Sequence, residues 1–103
     1  MQNFNVVYSD DATEQLKEIH DYILRNFASP ETARGQTNRI MSKVKKLGLS
    51  PKIHRIRGKD KKGNEIRLCP VDNYSILYSV DDVKNVVNIS HIVYGRRNIS
   101  EII

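Results

Sequence analysis

The stretch YSILYSVDDVKNVVNISHIVY, residues 74–94, decides the fold. Apolar and small side chains alternate in its first part, which is the period of a β-strand, and one face carries Tyr74, Ile76, Tyr78 and Val80. Asp81-Asp82 and the next three residues then predict a turn. Residues 86–94 return as a second apolar strand. The stretch therefore predicts an antiparallel pair of strands.

Two helices precede this pair of strands. The first is predicted to begin at Ser9-Asp10-Asp11, where Asp11 and Glu14 resemble a capping box, and to end near Asn26. Its apolar residues follow at steps of three and four, which predicts one buried stripe. That stripe consists of Ala12, Leu16, Ile19, Ile23 and Phe27.

The second helix begins with Ser29 as its N-cap and Pro30 in its first turn. Gly48, followed by Pro51, predicts its end. Its stripe consists of Ala33, Thr37, Ile40, Val44 and Leu47. Two helices joined by so few residues form an antiparallel hairpin, and that hairpin needs a sheet to bury both stripes.

The remaining segments complete a single domain, residues 1–103. Phe4 to Tyr8 alternate loosely and predict a first strand, and Glu65 to Cys69 predict a short strand before the final pair. The basic stretch from Ser50 to Gly63 is predicted to be a loop or the frayed start of a strand. The element order is β-α-α-β-β-β. The sequence thus predicts an α+β fold, with the helical hairpin packed on one face of a mainly antiparallel sheet.

The charge is concentrated in the middle of the chain. The formal net charge is +5, but residues 43–67 carry ten Lys or Arg against two acidic residues, a net charge of +8. The rest of the chain has a net charge of −3. Such a basic segment suits nucleic acid or an acidic protein partner. The alternative is a solvated loop whose lysines serve solubility.

Several classes of protein are disfavoured by what the sequence lacks. The single Cys69 excludes a disulfide framework and fits a reducing cytoplasm. Neither a signal peptide nor a membrane-spanning run is present, so we expect a cytoplasmic protein that does not contact membrane. There is no glycine-rich phosphate loop, and the histidines lack metal-ligand spacing. We therefore predict no metal and no cofactor.

The segment HIVYGRR, residues 91–97, has the side chains that a metal-free ribonuclease needs. Such an enzyme requires a general base, a general acid and cations for the phosphorane. The candidates are His54, Arg57, Arg67, His91, Tyr94 and Arg97. The alternative is structural: His91 shares a strand face with Val87, Ile89 and Val93, which predicts a buried, hydrogen-bonded histidine. Tyr94 can close the sheet edge, and Arg96 and Arg97 can pair with acidic groups of a partner.

Three segments, taken in order, resemble a known superfamily. They are LKEIHDYILRNFASPETA (16–33), KVKKLGLSP (43–51) and EIRLCPVDNYSILYSVDDVKNVVNISHIVYGRRN (65–98). Together they are similar to the RelE/ParE superfamily of bacterial type II toxins, over Tyr8 to Asn98. The resemblance implies a toxin that forms a hetero-oligomer with a cognate antitoxin, whose acidic segment covers the basic groove. The residues expected to contact target or antitoxin are Arg55, Arg57, Lys59, Lys61, Lys62, Arg67, Arg96 and Arg97.

Two features of the sequence, at position 75 and at the C-terminus, distinguish the branches of this superfamily. The RelE-like branch cuts mRNA in the ribosome and usually carries an arginine after the tyrosine that opens Y-x-I-x-Y, where this sequence has Ser75. That branch also usually has a catalytic tyrosine or histidine near the C-terminus, where this sequence has Ile102 and Ile103. We therefore favour the ParE-like branch, a growth-inhibiting poison of DNA gyrase and not an enzyme. His54 and His91 keep a ribosome-dependent endoribonuclease open, and a non-toxic basic binding module is a third possibility.

The end of the chain carries three isoleucines, Ile99, Ile102 and Ile103. Their spacing predicts a short apolar anchor against the body of the protein itself or against the antitoxin.

Overall fold

The computed structural model describes residues 3–95 and residue 102. The elements are β1 (Asn5–Tyr8), α1 (Asp10–Phe27), α2 (Pro30–Leu47), β2 (Ile56–Lys59), β3 (Glu65–Val71), β4 (Tyr74–Asp81) and β5 (Val86–Tyr94). The sheet order is β1-β5-β4-β3-β2, in which β1 is parallel to β5 and the other three pairings are antiparallel. The α+β fold is confirmed, and β2 is a further strand within the segment predicted as a loop or frayed strand. Within the described residues, no helix is long and apolar enough to cross a membrane.

Both helices begin at a serine cap. The Ser9 hydroxyl accepts a hydrogen bond from the Ala12 N–H at 3.0 Å, and the Ser29 hydroxyl accepts one from the Thr32 N–H at 3.2 Å. The predicted capping box at Asp11 is therefore wrong, because Ser9 has already capped the helix. Asp11 lies in the first turn of α1, where the helix dipole favours a negative charge.

The two apolar stripes differ in how far they are buried. All five predicted residues of the α2 stripe are buried, and Ile40 lies at its centre with no exposed surface. In α1, Ala12, Ile19 and Ile23 are buried and Leu16 is partly buried, but Phe27 is 65% exposed. Phe27 belongs to the last turn of α1, beyond the last buried residue of that helix. The main core between helices and sheet therefore ends one turn before the helix does.

A β-bulge in β5 changes which residues face the helices. Leu77 pairs with His91 and Tyr78 pairs with Ile89, so that Ser90 is the extra residue. Because one extra residue exchanges the faces of a strand, Ile92 joins Ile89 in the main core, while His91 lies on the face of Leu77. The prediction that His91 shares a face with Ile89 is therefore wrong.

A second, smaller apolar cluster lies on the sheet face opposite the helices. It consists of Ile66, Leu68 and Leu77, and Ile102 packs against it. This contact confirms that Ile102 anchors to the body of the protein itself. The other two isoleucines of the predicted anchor, Ile99 and Ile103, lie outside the described residues.

Candidate functional site

The hairpin of β2 and β3 presents the basic segment at the edge of the sheet. Its turn is fixed by Asp60, whose carboxylate accepts hydrogen bonds from the Asn64 side-chain amide at 3.0 Å and from the backbone N–H groups of Lys62 at 2.9 Å and Asn64 at 2.8 Å. The Asn64 side-chain bond is the largest of the effects that lower the pKa of Asp60. Gly63 has a φ of +86°, a conformation that favours glycine. The tip of the hairpin is therefore held in one shape.

Five cations project from this hairpin and from the residue that precedes it. They are all exposed: Arg55, Arg57, Lys59, Lys61 and Lys62. None of them forms an ion pair with another residue of the described part of the chain. A β-bulge between Ile56 and Gly58 changes the direction of the edge strand at Arg57. The structure thus brings together five of the eight predicted contact residues, with their charges available to a partner.

Arg67 has a different place from the other predicted contact residues. One guanidinium nitrogen donates a 2.7 Å hydrogen bond to the His54 carbonyl. Nearby, the buried Tyr78 hydroxyl donates to the Pro51 carbonyl at 2.8 Å, and burial raises the pKa of Tyr78 to about 12. An ion pair of 2.9 Å joins Lys52 to Asp82. Together these contacts hold residues 50–55 against the sheet, so that the loop leads into β2 in a fixed position.

The Tyr78 contact can be tested by removing its hydroxyl. Tyr78→Phe is expected to lower the free energy of unfolding by about 1 kcal/mol, because the Pro51 carbonyl loses its donor while the ring still fills its space. The raised pKa adds a pH dependence: the neutral phenol stabilises the fold fully below pH 10, and this stabilisation is lost as pH rises through about 12. Urea unfolding at pH 8 and pH 11 measures both effects.

A matched control for this test is Tyr94→Phe, since Tyr94 is 62% exposed. It is expected to leave stability unchanged and to keep the alkaline loss of the unsubstituted protein. If Tyr78→Phe shows the same alkaline loss as the control, Tyr78 is not its source.

The two aromatic candidates of the C-terminal strand lie on opposite faces of the sheet. Tyr94 pairs with Tyr74 on the helix side, and their rings meet edge to face with centroids 5.6 Å apart. His91 pairs with Leu77 on the other side. The Nε2 of His91 lies 3.8 Å from a carboxylate oxygen of Asp11 in the first turn of α1, and its Nδ1 is buried without a hydrogen-bond partner among the described residues. The strand therefore does not aim both side chains at one substrate.

His54 is also distant from the C-terminal candidates. It immediately precedes the β2 end of the sheet, and three strand spacings, roughly 14 Å, separate β2 from β5. Burial, aided by the positive charge of Lys43, lowers the pKa of His54 and favours its neutral form. Arg96 and Arg97, the remaining arginines of the predicted site, lie outside the described residues. The described candidates for RNA cleavage are thus spread over both faces and across the sheet.

Ser75 has a structural role at the end of the central strands. Its side chain is buried, and its hydroxyl donates a 2.6 Å hydrogen bond to the Gly95 carbonyl. Gly95, with a φ of +80°, also donates its N–H to the Asn73 carbonyl at 2.7 Å. These bonds fix the chain where it leaves β5. A larger side chain at the buried position 75 would lose this hydrogen bond and would crowd the residues that surround Ser75.

A groove lies between α1 and the end of β5, and the sequence pattern did not predict it. Its volume is about 860 Å³, and its walls include Tyr22, Tyr74, Ile92, Tyr94 and Ile102. Tyr22 lies beside the buried stripe of α1. An exposed aromatic residue next to that stripe was the sequence signal from which the groove could have been predicted. Among residues 3–95 and 102, no group of three or more His, Cys, Asp or Glu side chains is placed to hold a metal ion.

Solved structures share this arrangement of strands and helices at low sequence identity. A chain of the chromosomal ParDE system from P. aeruginosa has 19% identity and a TM-score of 0.73, over 90% of this chain and 97% of that one. A chain of the RelBE2 toxin-antitoxin complex from Mycobacterium tuberculosis has 15% identity and a TM-score of 0.65, over 91% and 93%. The isolated RelE toxin of E. coli has 15% identity and a TM-score of 0.61, over 97% and 99%. The fold is therefore that of the RelE/ParE toxins.

The sequence itself gives a narrower match. The family model described as "ParE toxin of type II toxin-antitoxin system, parDE" matches residues 6–99, which is most of the chain. A comparison with curated proteins gives no match. The chain belongs to the ParE toxin family of type II toxin-antitoxin systems.

Proposed function

We propose that this chain inhibits growth by poisoning DNA gyrase and that a cognate antitoxin, acidic in its toxin-binding segment, neutralises it. The observation that carries this proposal is the separation of the groups that RNA cleavage would need. His91 and Tyr94 face opposite sides of the sheet, and His54 lies three strands away. The family match to ParE toxins supports the same branch.

The chemistry of RNA cleavage explains why that separation matters. A general base and a general acid must each come within about 3 Å of the atoms between which they move protons, directly or through one water. Side chains that point to opposite faces of the sheet, or that lie three strands apart, are not positioned at that distance from one phosphodiester. Arg67, a candidate cation for the phosphorane, already donates to a backbone carbonyl. The buried Ser75 replaces the arginine that the RNA-cutting branch usually carries.

The exposed cations of the β2–β3 hairpin are the proposed contact surface for the target. A fixed set of unpaired charges steers a partner of opposite sign and sets the orientation in which it docks. The same charges suit an acidic antitoxin segment, which would neutralise the toxin by covering them. The similar structures from P. aeruginosa and Mycobacterium tuberculosis are described as parts of toxin-antitoxin systems, which supports a partner of this kind.

Two assays on one preparation test the choice of target. Purified toxin is expected to inhibit gyrase supercoiling and to trap cleaved DNA complexes, while ribosome-bound message stays intact. The variants His91→Ala and Arg97→Ala test the nuclease alternative. If the toxin does cleave message, a variant that no longer does so would assign the cleavage to the substituted residue. Fragments of ribosome-bound message, with supercoiling unaffected, would replace our proposal by the RNA-cutting one.

Growth measurements test the toxin and its partner in cells. Expression of the chain alone is expected to arrest growth and to induce the SOS response, and co-expression with the neighbouring gene is expected to restore growth. Unchanged growth on expression alone would instead indicate a non-toxic basic binding module.

A further inference from the structure

The tip of the basic hairpin lacks apolar and aromatic side chains. From Arg57 to Asn64, eight residues in the order RGKDKKGN carry no apolar side chain, and no Phe, Tyr or Trp occurs between residues 54 and 73. Four of the eight residues are cations. The tip therefore offers charge and backbone to a partner, and no apolar side chain, whereas the exposed Ile56 lies at the start of β2.

The same cations can steer an acidic protein segment, but the composition of the tip suits a nucleic acid better. Protein interfaces depend on a few apolar or aromatic anchors that become fully buried, and the tip, residues 57–64, has none to offer. Binding to a phosphate backbone needs no such anchor, because the neutralised phosphates release their condensed counterions. A protein partner would have to find its apolar anchors outside the tip, at the exposed Ile53 and Ile56 or in the groove beside Tyr22.

The lack of aromatic side chains further distinguishes double from single strands. Proteins bind single-stranded DNA or RNA largely by stacking its bases on aromatic rings. A duplex has no unstacked bases to offer and presents two rows of phosphates. Arg57 and Lys59, two positions apart on β2, are spaced about 7 Å along the strand. Successive phosphates of one DNA strand are roughly 7 Å apart through space, because each step combines the rise along the helix axis with rotation about it, and this spacing is comparable.

The surroundings of the hairpin favour the same partner. Asp60, the acidic residue of its turn, accepts hydrogen bonds from the turn itself, so the turn keeps its shape beside a polyanion. The loop before β2 is fixed by Arg67 and Tyr78. Lys43 on α2 lies close enough to His54 to lower its pKa, so the positive potential continues from the hairpin onto α2.

We propose that the β2–β3 hairpin, through Arg57, Lys59, Lys61 and Lys62, binds the phosphate backbone of double-stranded DNA without base specificity. The inference rests on the proposed function for the setting in which toxin meets DNA, because gyrase acts on a duplex. The binding itself is a property of the toxin alone and is measured without gyrase. A failure of one proposal is therefore distinguishable from a failure of the other.

The experiment measures fluorescence anisotropy of a labelled 30-base-pair duplex with the full-length toxin, from 50 to 300 mM salt. Single-stranded DNA and RNA of the same length are compared. The test variant is Lys59→Gln/Lys61→Gln/Lys62→Gln. The control variant is Lys17→Gln/Arg34→Gln/Lys84→Gln, which removes the same charge from exposed positions elsewhere. Circular dichroism and thermal unfolding of both variants establish that they fold.

The expected result is binding to the duplex that weakens steeply with salt. The test variant is expected to lose at least about 100-fold in affinity at 50 mM salt, and the slope of log K against log salt to become shallower by about 3. The control variant is expected to lose much less. Equal losses in both variants would overturn the proposal, as would tighter binding to single strands or no binding of the duplex. A test variant that keeps the duplex and loses only the antitoxin would assign the hairpin to an acidic protein segment instead.

Discussion

Replacing Ile23 by alanine is expected to lower the free energy of unfolding by about 2–4 kcal/mol, whereas Phe27→Ala is expected to change it by less than about 0.5 kcal/mol. The two residues occupy consecutive turns of one apolar stripe on α1. Ile23 is buried against the main core, so its loss removes packed methyl and methylene groups and leaves a cavity. Phe27 has most of its surface in water already, and its truncation exposes little.

Urea unfolding of the two variants, followed by circular dichroism, measures this difference. Phe→Ala removes more atoms than Ile→Ala, so side-chain size alone predicts the opposite order. If Phe27→Ala is the more damaging change, the last turn of α1 is packed against something that the described residues do not include.

The same pair of residues explains how much of the helical hairpin was predictable. Apolar residues at steps of three and four identify the face of a helix, and in α2 that rule gave a stripe that is buried from Ala33 to Leu47. Periodicity carries no information about where the sheet beneath the helix ends. The burial of Phe27 depends on that boundary, which is set by residues far away in the sequence.

The C-terminal strand shows a second limit of prediction from the sequence. Its position, length and partner β4 followed from the predicted turn and the apolar run over residues 86–94, and the structure confirms them. A single extra residue at Ser90 then reverses the faces for the rest of the strand. The bulge is accompanied by long-range hydrogen bonds: the Ser9 hydroxyl donates to the Ser90 carbonyl at 2.7 Å, and the Ser90 hydroxyl donates to the Leu77 carbonyl at 3.0 Å. Such contacts are invisible in the local pattern, so the face of His91 could not be predicted.

The basic segment was predictable in composition but not in shape. Counting charges located it, whereas the strand β2 has an irregular pattern because of its bulge. The contacts that order the segment come from two other strands, through Arg67 on β3 and Tyr78 on β4. The candidate site therefore illustrates a general point: residue types are local information, while their convergence or separation is a property of the assembled sheet.

Gly48→Ala is expected to destabilise the protein by about 1–3 kcal/mol. The sequence pattern predicts Gly48 as the glycine that terminates α2, and Gly48 does follow the last helical residue. Its φ of −64° is nevertheless one that alanine adopts freely. Glycine is required at position 48 for steric reasons, because an added Cβ would lie 2.9 Å from the Phe4 carbonyl oxygen and 3.3 Å from a methyl group of Val6.

The backbone around Gly48 cannot easily move to accommodate that Cβ. The Phe4 N–H donates a 2.8 Å hydrogen bond to the Gly48 carbonyl, so the two chains are joined where they would have to separate. Phe4 directly precedes β1, and β1 joins the sheet through its parallel pairing with β5. Relief of the contact therefore requires displacement of the start of β1, with loss of apolar packing by Phe4 and Val6.

The matched control is Gly35→Ala, in the interior of α2. The nearest atom to an added Cβ there is the flexible end of Arg39 at 3.5 Å, so alanine fits and its better helix propensity is expected to stabilise the protein by about 0.5–1 kcal/mol. Thermal and urea unfolding of both variants should therefore give shifts of opposite sign. Hydrogen exchange should also be faster at Val7 and its neighbours in β1 for Gly48→Ala alone. If both variants are stabilised, helix propensity outweighs the contact with Phe4, and the junction of α2 with β1 is looser than its distances indicate.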